Sequence, residues 1–411
     1  MIGRRELLVR AAGGLAWLAA GRAGAAEGSG AKRLLGPPEL PAGTLDSAVL
    51  QALPGKDRLV KRSYRPPNYE TPLGDLSGPL TDNRRFFVRY HLLSIPEVDP
   101  RKWKLRVGGE AAEKTIELDL EELRTNFEPV ELVALCLCSG NRRGLSNPHV
   151  PGVQWGYGAM GNARWKGARL RDVLAVAGLR KQAVEVAFDG ADAGVIPKTP
   201  DFVKSLPVWR ALDENTLVAY EMNGEPLPRW HGSPARLVVP GWTATYWVKH
   251  LVSIDVLARP FDGFWMKTAY RIPRGLFPVV DRFVSQETDD NTPITEILVS
   301  SLITSPQDGH RVAAGQAIEV RGIAWDGGYG ISRVEVSSDG GRSWTQATFG
   351  ADGGLFSWRT WTYSFRPPKP GSYTLAARAT NRIGGTQTFV ALWNPAGYHH
   401  NAIHKVDIAA G

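Results

Sequence analysis

The residues best suited to chemistry lie in one short run, Cys138-Ser139-Gly140-Asn141-Arg142-Arg143. The apolar stretch 130–137 reads as a strand that ends at Cys138, Ser-Gly-Asn as a turn, and two arginines follow. Positive charge beside a thiol favours the thiolate, the form that acts as a nucleophile or ligates a soft metal. On these residues alone a buried structural cysteine at a strand end is the competing reading. Cys136 fits that role better, because apolar residues flank it on both sides. The two are the only cysteines in 411 residues, which excludes a disulfide scaffold, a Cys-only zinc site and an iron–sulfur cluster. A bridge between them is disfavoured, since residues at i and i+2 of an extended strand do not meet disulfide geometry. No G-x-G-x-x-G, P-loop, G-x-S-x-G, H-E-x-x-H or C-x-x-C-H pattern is present, so redox chemistry would need another kind of centre.

The elements around this run suggest two domains, as the length does. With 43% hydrophobic residues and 14 Trp the chain is neither disordered nor fibrous. Residues 27–84 are rich in Pro and Gly and predict an extended N-terminal arm over the surface. From 85 to 288 short strands alternate with short helices. Ile116, Leu118 and Leu120 alternate with acidic residues as on a half-buried strand. Leu170, Val173, Leu174 and Ala177 have helical spacing, with Gly178 as the stop. Asp289-Asp290-Asn291-Thr292-Pro293 reads as an unstructured linker. Residues 294–411 turn all-β, with alternation at Ile318/Val320, Val334/Val336 and Tyr373/Leu375 and a hairpin turn at Ser338-Asp339-Gly340-Gly341. The expected class is α+β, a mixed domain followed by an immunoglobulin-like sandwich.

The formal charge of +8 is partly carried by the first 25 residues, where Arg4, Arg5, Arg10 and Arg22 outnumber Glu6. The remainder is diffuse, with no basic run or nucleic-acid motif, which argues against nucleic-acid binding and leaves steering of anions as a use. Arg4-Arg5 ahead of a weakly apolar run, 11–20, and then Ala23-Gly24-Ala25 predict a signal peptide over 1–26 of the twin-arginine type, and hence a periplasmic protein. That run is too short to span a membrane, and no other membrane span is evident.

The Cys138–Arg143 run resembles the Cys-x-Gly-Asn-Arg-Arg signature of the sulfite oxidase family of molybdenum enzymes. Phe86-Phe87-Val88-Arg89-Tyr90-His91, Trp155 with Gly158–Ala163 and Trp165, and Ala219–Pro228 with His231-Gly232 and Pro234–Gly241 resemble further family blocks in the same order. So do Phe264–Tyr270, Arg333–Gly341, and Trp393-Asn394 through Asn401-Ala402 to His404. Within the family the chain is most similar to bacterial periplasmic sulfite dehydrogenases, through Gly241–His250, Ala269 before Tyr270, and the export signal. The resemblance implies a molybdopterin-binding catalytic domain over 85–288 and a dimerisation domain over 294–411.

It also implies roles. Cys138 would be the thiolate on molybdenum, beside the dithiolene sulfurs of one molybdopterin. Arg89, Arg143 and Tyr270 would line an anion pocket walled by Trp155, with Arg142 left as a structural partner. Phe86, Arg89, His91, Asp192, His231, Arg236, Thr245 and Lys249 would hold the pterin, assisted by backbone amides from Thr245 to Trp247. Fixed arginines suit a tetrahedral-like oxyanion. The implied activity is oxidation of sulfite to sulfate, with electrons passed singly to a separate c-type cytochrome, because the chain shows no haem or flavin motif. A homodimer is implied, or a haem subunit in place of the second copy. A reductase of the same superfamily, acting on nitrate or methionine sulfoxide, is the alternative enzyme, and an exported binding protein the non-enzymatic one. One departure stands out: Ala396 lies in Trp393-Asn394-Pro395-Ala396-Gly397 where animal sulfite oxidases carry an arginine. Either another cation replaces it or the pocket is less positive. His399 and His400 remain without an assigned role.

Overall fold

The computed structural model describes residues 50–275 and 290–411. The expected signal peptide, the start of the arm through residue 49, and residues 276–289 at the end of the catalytic domain lie outside the described residues.

The strand Pro129–Leu137 organises the molecule. It pairs antiparallel along its whole length with Met160–Arg169, setting Cys136 opposite Gly161 and Leu137 opposite Met160. Leu217–Met222 continues that sheet, flanked by Glu225–Pro226 and Arg236–Val238. Strand alternation then sorts the side chains. Ala134 and Cys136, with Cys138 just past the strand, join the core of the mixed domain. Leu135 and Leu137 face the other way, into a cluster with Ile323, Trp325 and Trp358 of the sandwich. Both cysteines are therefore committed to one face by a period of two.

A second five-stranded sheet runs Lys204–Pro207, Glu185–Gly190, Leu251–Leu257, Leu105–Gly108, Ile116–Leu118. Its Leu251–Leu257 and Leu105–Gly108 are parallel while its other pairs are antiparallel, which gives the mixed topology of an α+β domain. The helix Leu170–Ala177 buries the four apolar positions expected from its spacing, and Gly178 ends it at φ +72° with its N–H on the Leu174 carbonyl. Leu120 departs from the expectation. The strand stops at Leu118 and Leu120 opens a helix, Leu120–Thr125, because Asp119 accepts the Glu122 N–H while Glu122 accepts the Asp119 N–H, each at 2.8 Å. This reciprocal cap outweighs the alternating pattern.

Two further expectations are corrected. The described part of the arm is no loose surface strap: Leu50–Ala52, Arg58–Ser63, Asn68–Glu70 and Val88–Arg89 form a four-stranded sheet. Leu59 and Tyr69 are fully buried in it, so apolar residues between the prolines give this segment its own core contacts. The expected linker is also ordered in part, since Asn291–Pro293 pairs antiparallel with Arg271–Pro273. The C-terminal region is the expected β-sandwich. One sheet contains Ser300–Ser305, Ile318–Trp325, Arg359–Phe365 and Thr348–Phe349. The other contains His310–Val312, His404–Ala410, Gly371–Asn381, Ile331–Ser337 and Thr345–Gln346. The turn after Ser337 is pinned by Asp339, which accepts the Arg342 and Ser343 amides.

Candidate functional site

The turn after the central strand is set by its side chains. The Asn141 amide donates to the Cys138 carbonyl at 2.9 Å, and the Asn141 carboxamide accepts the Ala159 N–H at 3.1 Å. A Cβ on Gly140 would lie 2.6 Å from Arg143 Cζ, so only glycine lets the arginine fold back over the turn. Arg142 sits at φ +67°, a conformation few non-glycine residues hold without surrounding support. The two arginines consequently point to different places. Arg142 is buried away from Cys138, donating to the Ala402 and Ser301 carbonyls at 3.1 and 3.2 Å and lying over the Tyr157 and Trp325 rings. It ties the two domains together and supplies none of the positive charge expected beside the thiol.

Cys136, Cys138 and Ser139 line a cavity with Phe86, Arg89, His91, Asp192, His231, Arg236, Thr245, Lys249 and Tyr270. All the residues assigned to the cofactor by sequence thus meet there. Both cysteines are free thiols. Burial pushes the Cys136 thiol up to about 11, which suits the structural role expected of it. Arg143 and Trp155 are not among the lining residues. Trp155 is fully buried, its carbonyl accepting the Gly144 N–H and its indole N–H without a partner among the described residues.

Two groupings divide the cavity. In the first, His91 Nε2 hydrogen-bonds the Tyr270 hydroxyl, with Arg89 on the same cavity wall. His91 stacks on Phe202 with ring centroids 3.8 Å apart. Arg89 is oriented by the arm, donating to Asn68 Oδ1 at 3.1 Å from the paired strand. Burial, then Arg89, Lys249, Lys204 and Arg143, hold His91 well below the usual imidazole range, so it is neutral at pH 7. Tyr270 itself stands at φ +60°, a second strained residue at the same place.

The second grouping is cationic. Arg236 donates to the His231 and Trp247 carbonyls at 3.1 and 3.0 Å and packs over Trp165. Lys249 Nζ donates to the Arg89 carbonyl at 2.7 Å and lies 3.0 Å from the centroid of Tyr90. Burial and Arg236 push Lys249 well below the usual amine range, and burial with Lys56 does the same to His231. The opposing carboxylate is Asp192, raised by burial against the pull of Lys249. Of the backbone amides expected to assist, those of Tyr246 and Trp247 are engaged by the Thr243 and Ala244 carbonyls.

Three residues escaped the sequence reading. Lys56, from the arm, is buried and donates to the Asn83 and Phe86 carbonyls at 2.6 and 2.9 Å and to His231 Nε2. Lys204 is buried with its Nζ on the Trp265 carbonyl at 2.6 Å and over the Tyr246 and Tyr270 rings. Tyr398 stacks on Tyr270. Lys56 and Lys204 sit in no motif, and Tyr398 lies within the Trp393–His404 block without being singled out there. A larger cavity of about 660 Å³ lies between the arm and the sandwich, lined by Leu50, Leu73, Phe389 and Trp393 among others, away from the cysteines.

Comparison with known proteins bears on this geometry. The oxidoreductase molybdopterin binding domain family matches residues 92–265, and the Mo-co oxidoreductase dimerisation domain family matches residues 291–411. The mitochondrial sulfite oxidase of Rattus norvegicus is 36% identical over 361 residues, covering 84% of this chain. Sulfite oxidase of Gallus gallus is 35% identical over 358 residues, covering 84% of this chain and 76% of the chicken protein. The chain belongs to the sulfite oxidase family. It spans 64% of the length of the rat sulfite oxidase. Among solved structures, the sulfane dehydrogenase SoxCD from Paracoccus pantotrophus matches over 94% of this chain and 93% of its own, with a TM-score of 0.73 at 25% identity.

The cavity fits the cofactor of the sulfite oxidase family. A molybdopterin carries a phosphate and several polar edges. The buried Ser139 and Thr245 hydroxyls that border the cavity have no partner among the described residues, an arrangement that is costly unless a ligand completes it. On the cavity wall Arg236 and Lys249 stand with the carboxylate of Asp192, and with Arg89 they favour an anionic guest.

Proposed function

We propose that this chain is the molybdenum-containing catalytic chain of a sulfite dehydrogenase, converting sulfite and water to sulfate, two protons and two electrons. The observation that carries the reading is the hydrogen-bonded pair Tyr270–His91, with Arg89 on the same wall, in the cavity that also holds Cys138. Molybdenum bound to molybdopterin supplies the oxygen-transfer and electron chemistry at this site, with Cys138 as its thiolate ligand. His231, Arg236, Lys249, Asp192 and Thr245 hold the pterin end, and Phe86 packs edge-on against His231 and Trp165 to close it from water.

The chain's own part in the reaction is electrostatic and steric. Arg89, on the cavity wall, binds and orients the oxyanion with charge fixed before it arrives, and Arg143, behind the wall, adds its positive field. Neutral His91 shares a proton with the Tyr270 hydroxyl, keeping one donor at that oxygen without adding a further charge. We further propose a c-type cytochrome as acceptor, a dimeric assembly through residues 291–411, and periplasmic location by way of Arg4-Arg5. The dimer is supported by the description of the matching C-terminal family. The export proposal is supported by the sequence, and no described helix is long and apolar enough to cross a membrane.

A second reading, oxidation of a sulfane sulfur, is favoured by the extent of the match to sulfane dehydrogenase. Molybdenum-loaded protein assayed with sulfite or thiosulfate, and with a c-type cytochrome or an artificial acceptor, separates them. Sulfite-dependent cytochrome reduction is expected. Turnover of thiosulfate alone selects the second reading, and no turnover with either donor removes both.

A further inference from the structure

The segment after Trp393 forms a tight turn on the outer side of the anion site. Asn394 Oδ1 accepts the Tyr398 N–H at 3.0 Å, and Asn394 Nδ2 returns a bond to the Tyr398 carbonyl at 2.7 Å. Gly397 stands at φ +61°, and a Cβ there would lie 2.8 Å from Arg143 Cγ, so the turn is moulded to the arginine. Arg143 Nε donates to the Ala396 carbonyl at 2.7 Å and Nη1 to the Val153 carbonyl at 3.3 Å. The guanidinium lies over the Tyr398 ring, Cζ 5.2 Å from the centroid. The same ring stacks nearly parallel on Tyr270, centroids 5.5 Å apart and planes 9° from each other. Tyr398 is buried, in one apolar cluster with Tyr270 and Ala396.

One side chain therefore touches both Tyr270, on the cavity wall, and Arg143, behind it, which lie far apart in sequence and come from different elements. We propose that Tyr398 is a positioning residue for oxyanion recognition: its ring face fixes the Arg143 guanidinium and the Tyr270 ring relative to each other. Two donors of Arg143 are engaged on carbonyls, and the ring beneath keeps the guanidinium plane from rotating, so that Nη2 remains aimed as those bonds set it. Stacking holds Tyr270 in its strained backbone conformation with its hydroxyl on His91. The cation–π contact and the ring stack need the aromatic face and not the phenol oxygen. The inference rests on the sulfite reading for its substrate, but recognition of a tetrahedral oxyanion can be measured without turnover.

The test compares Tyr398→Phe, Tyr398→Met and Tyr398→Leu in molybdenum-loaded protein. The unbranched, flexible Met side chain can spread along the Tyr270 ring where branched Leu cannot, so a folding failure of the Leu variant leaves the test intact. The Phe variant is expected to keep the KM for sulfite and the inhibition constant for sulfate. The Met and Leu variants are expected to raise both by about tenfold, with kcat changing much less and molybdenum content unchanged. Sulfate binding by calorimetry reads the same loss when no substrate turns over. Wild-type sulfate affinity in the Met and Leu variants overturns the inference, and so does a loss in the Phe variant equal to theirs. Absence of sulfite turnover in the wild type overturns the functional reading instead.

Discussion

Lys56 links the N-terminal arm to the cofactor cradle in a way that pH should reveal. Its ammonium is buried, and burial pushes its pKa down to about 7 from the ordinary 10.5, with Asp82 and Asp57 opposing only in part. In the unfolded chain the lysine keeps its proton up to the ordinary value. Between pH 7 and 10.5 the unfolded state thus binds more protons than the folded state, and stability rises with pH through that window. From pH 7 to pH 9 the wild-type gain from this group is about 2 kcal/mol. Lys56→Met removes that slope. It also strips donors from the Asn83 and Phe86 carbonyls and from His231, a loss of about 1 kcal/mol or more for each group left unpaired. Urea unfolding of cofactor-free protein, followed by fluorescence of the buried Trp165 and Trp247, should show the gap between wild type and variant widening from pH 7 to pH 9. Parallel pH profiles, or a variant as stable as wild type at pH 9, would refute the reasoning.

Other outcomes follow from the same geometry. Arg142→Leu removes one donor from the Ser301 carbonyl and one of two from the Ala402 carbonyl, which keeps Gln387 Nε2 at 3.2 Å, and removes its packing on Tyr157 and Trp325. Thermal melting should show a loss of about 3 kcal/mol, while the KM for sulfite in surviving molybdenum-loaded enzyme stays near wild type. Gly161→Ala places a Cβ 2.5 Å from the Phe86 ring, and overpacking of about 1–3 kcal/mol should push that ring toward the cavity. Metal analysis of the purified variant is expected to show reduced molybdenum at unchanged protein yield.

How far the sequence revealed this arrangement depends on the range of the interactions. The Cys138–Arg143 turn was legible because its chemistry is local: a thiol, a glycine and an asparagine that fold back on one another within six residues. Helix Leu170–Ala177 was legible from its spacing and its terminal glycine. The strand pattern at Leu120 misled because Glu117 and Asp119 alternate with apolar residues as a strand would, yet Asp119 and Glu122 together form a helix cap. The arm was misread because prolines mark turns without revealing that Leu59 and Tyr69 between them find a core. Residue type alone does not separate Arg142 from Arg143; the family resemblance gave Arg142 a structural role, and the left-handed backbone at Arg142 sends it to the sandwich and Arg143 back over the turn. Lys56 and Tyr398 reach the site across long sequence separations, where no periodicity carries information.

The most direct test of the account is the sulfur environment of molybdenum in wild type and in Cys138→Ser, measured by X-ray absorption on molybdenum-loaded protein together with sulfite turnover. The account predicts that the variant loses one sulfur neighbour and its sulfite activity while retaining the pterin held by Arg236 and Lys249. An unchanged sulfur count with full sulfite turnover would contradict it.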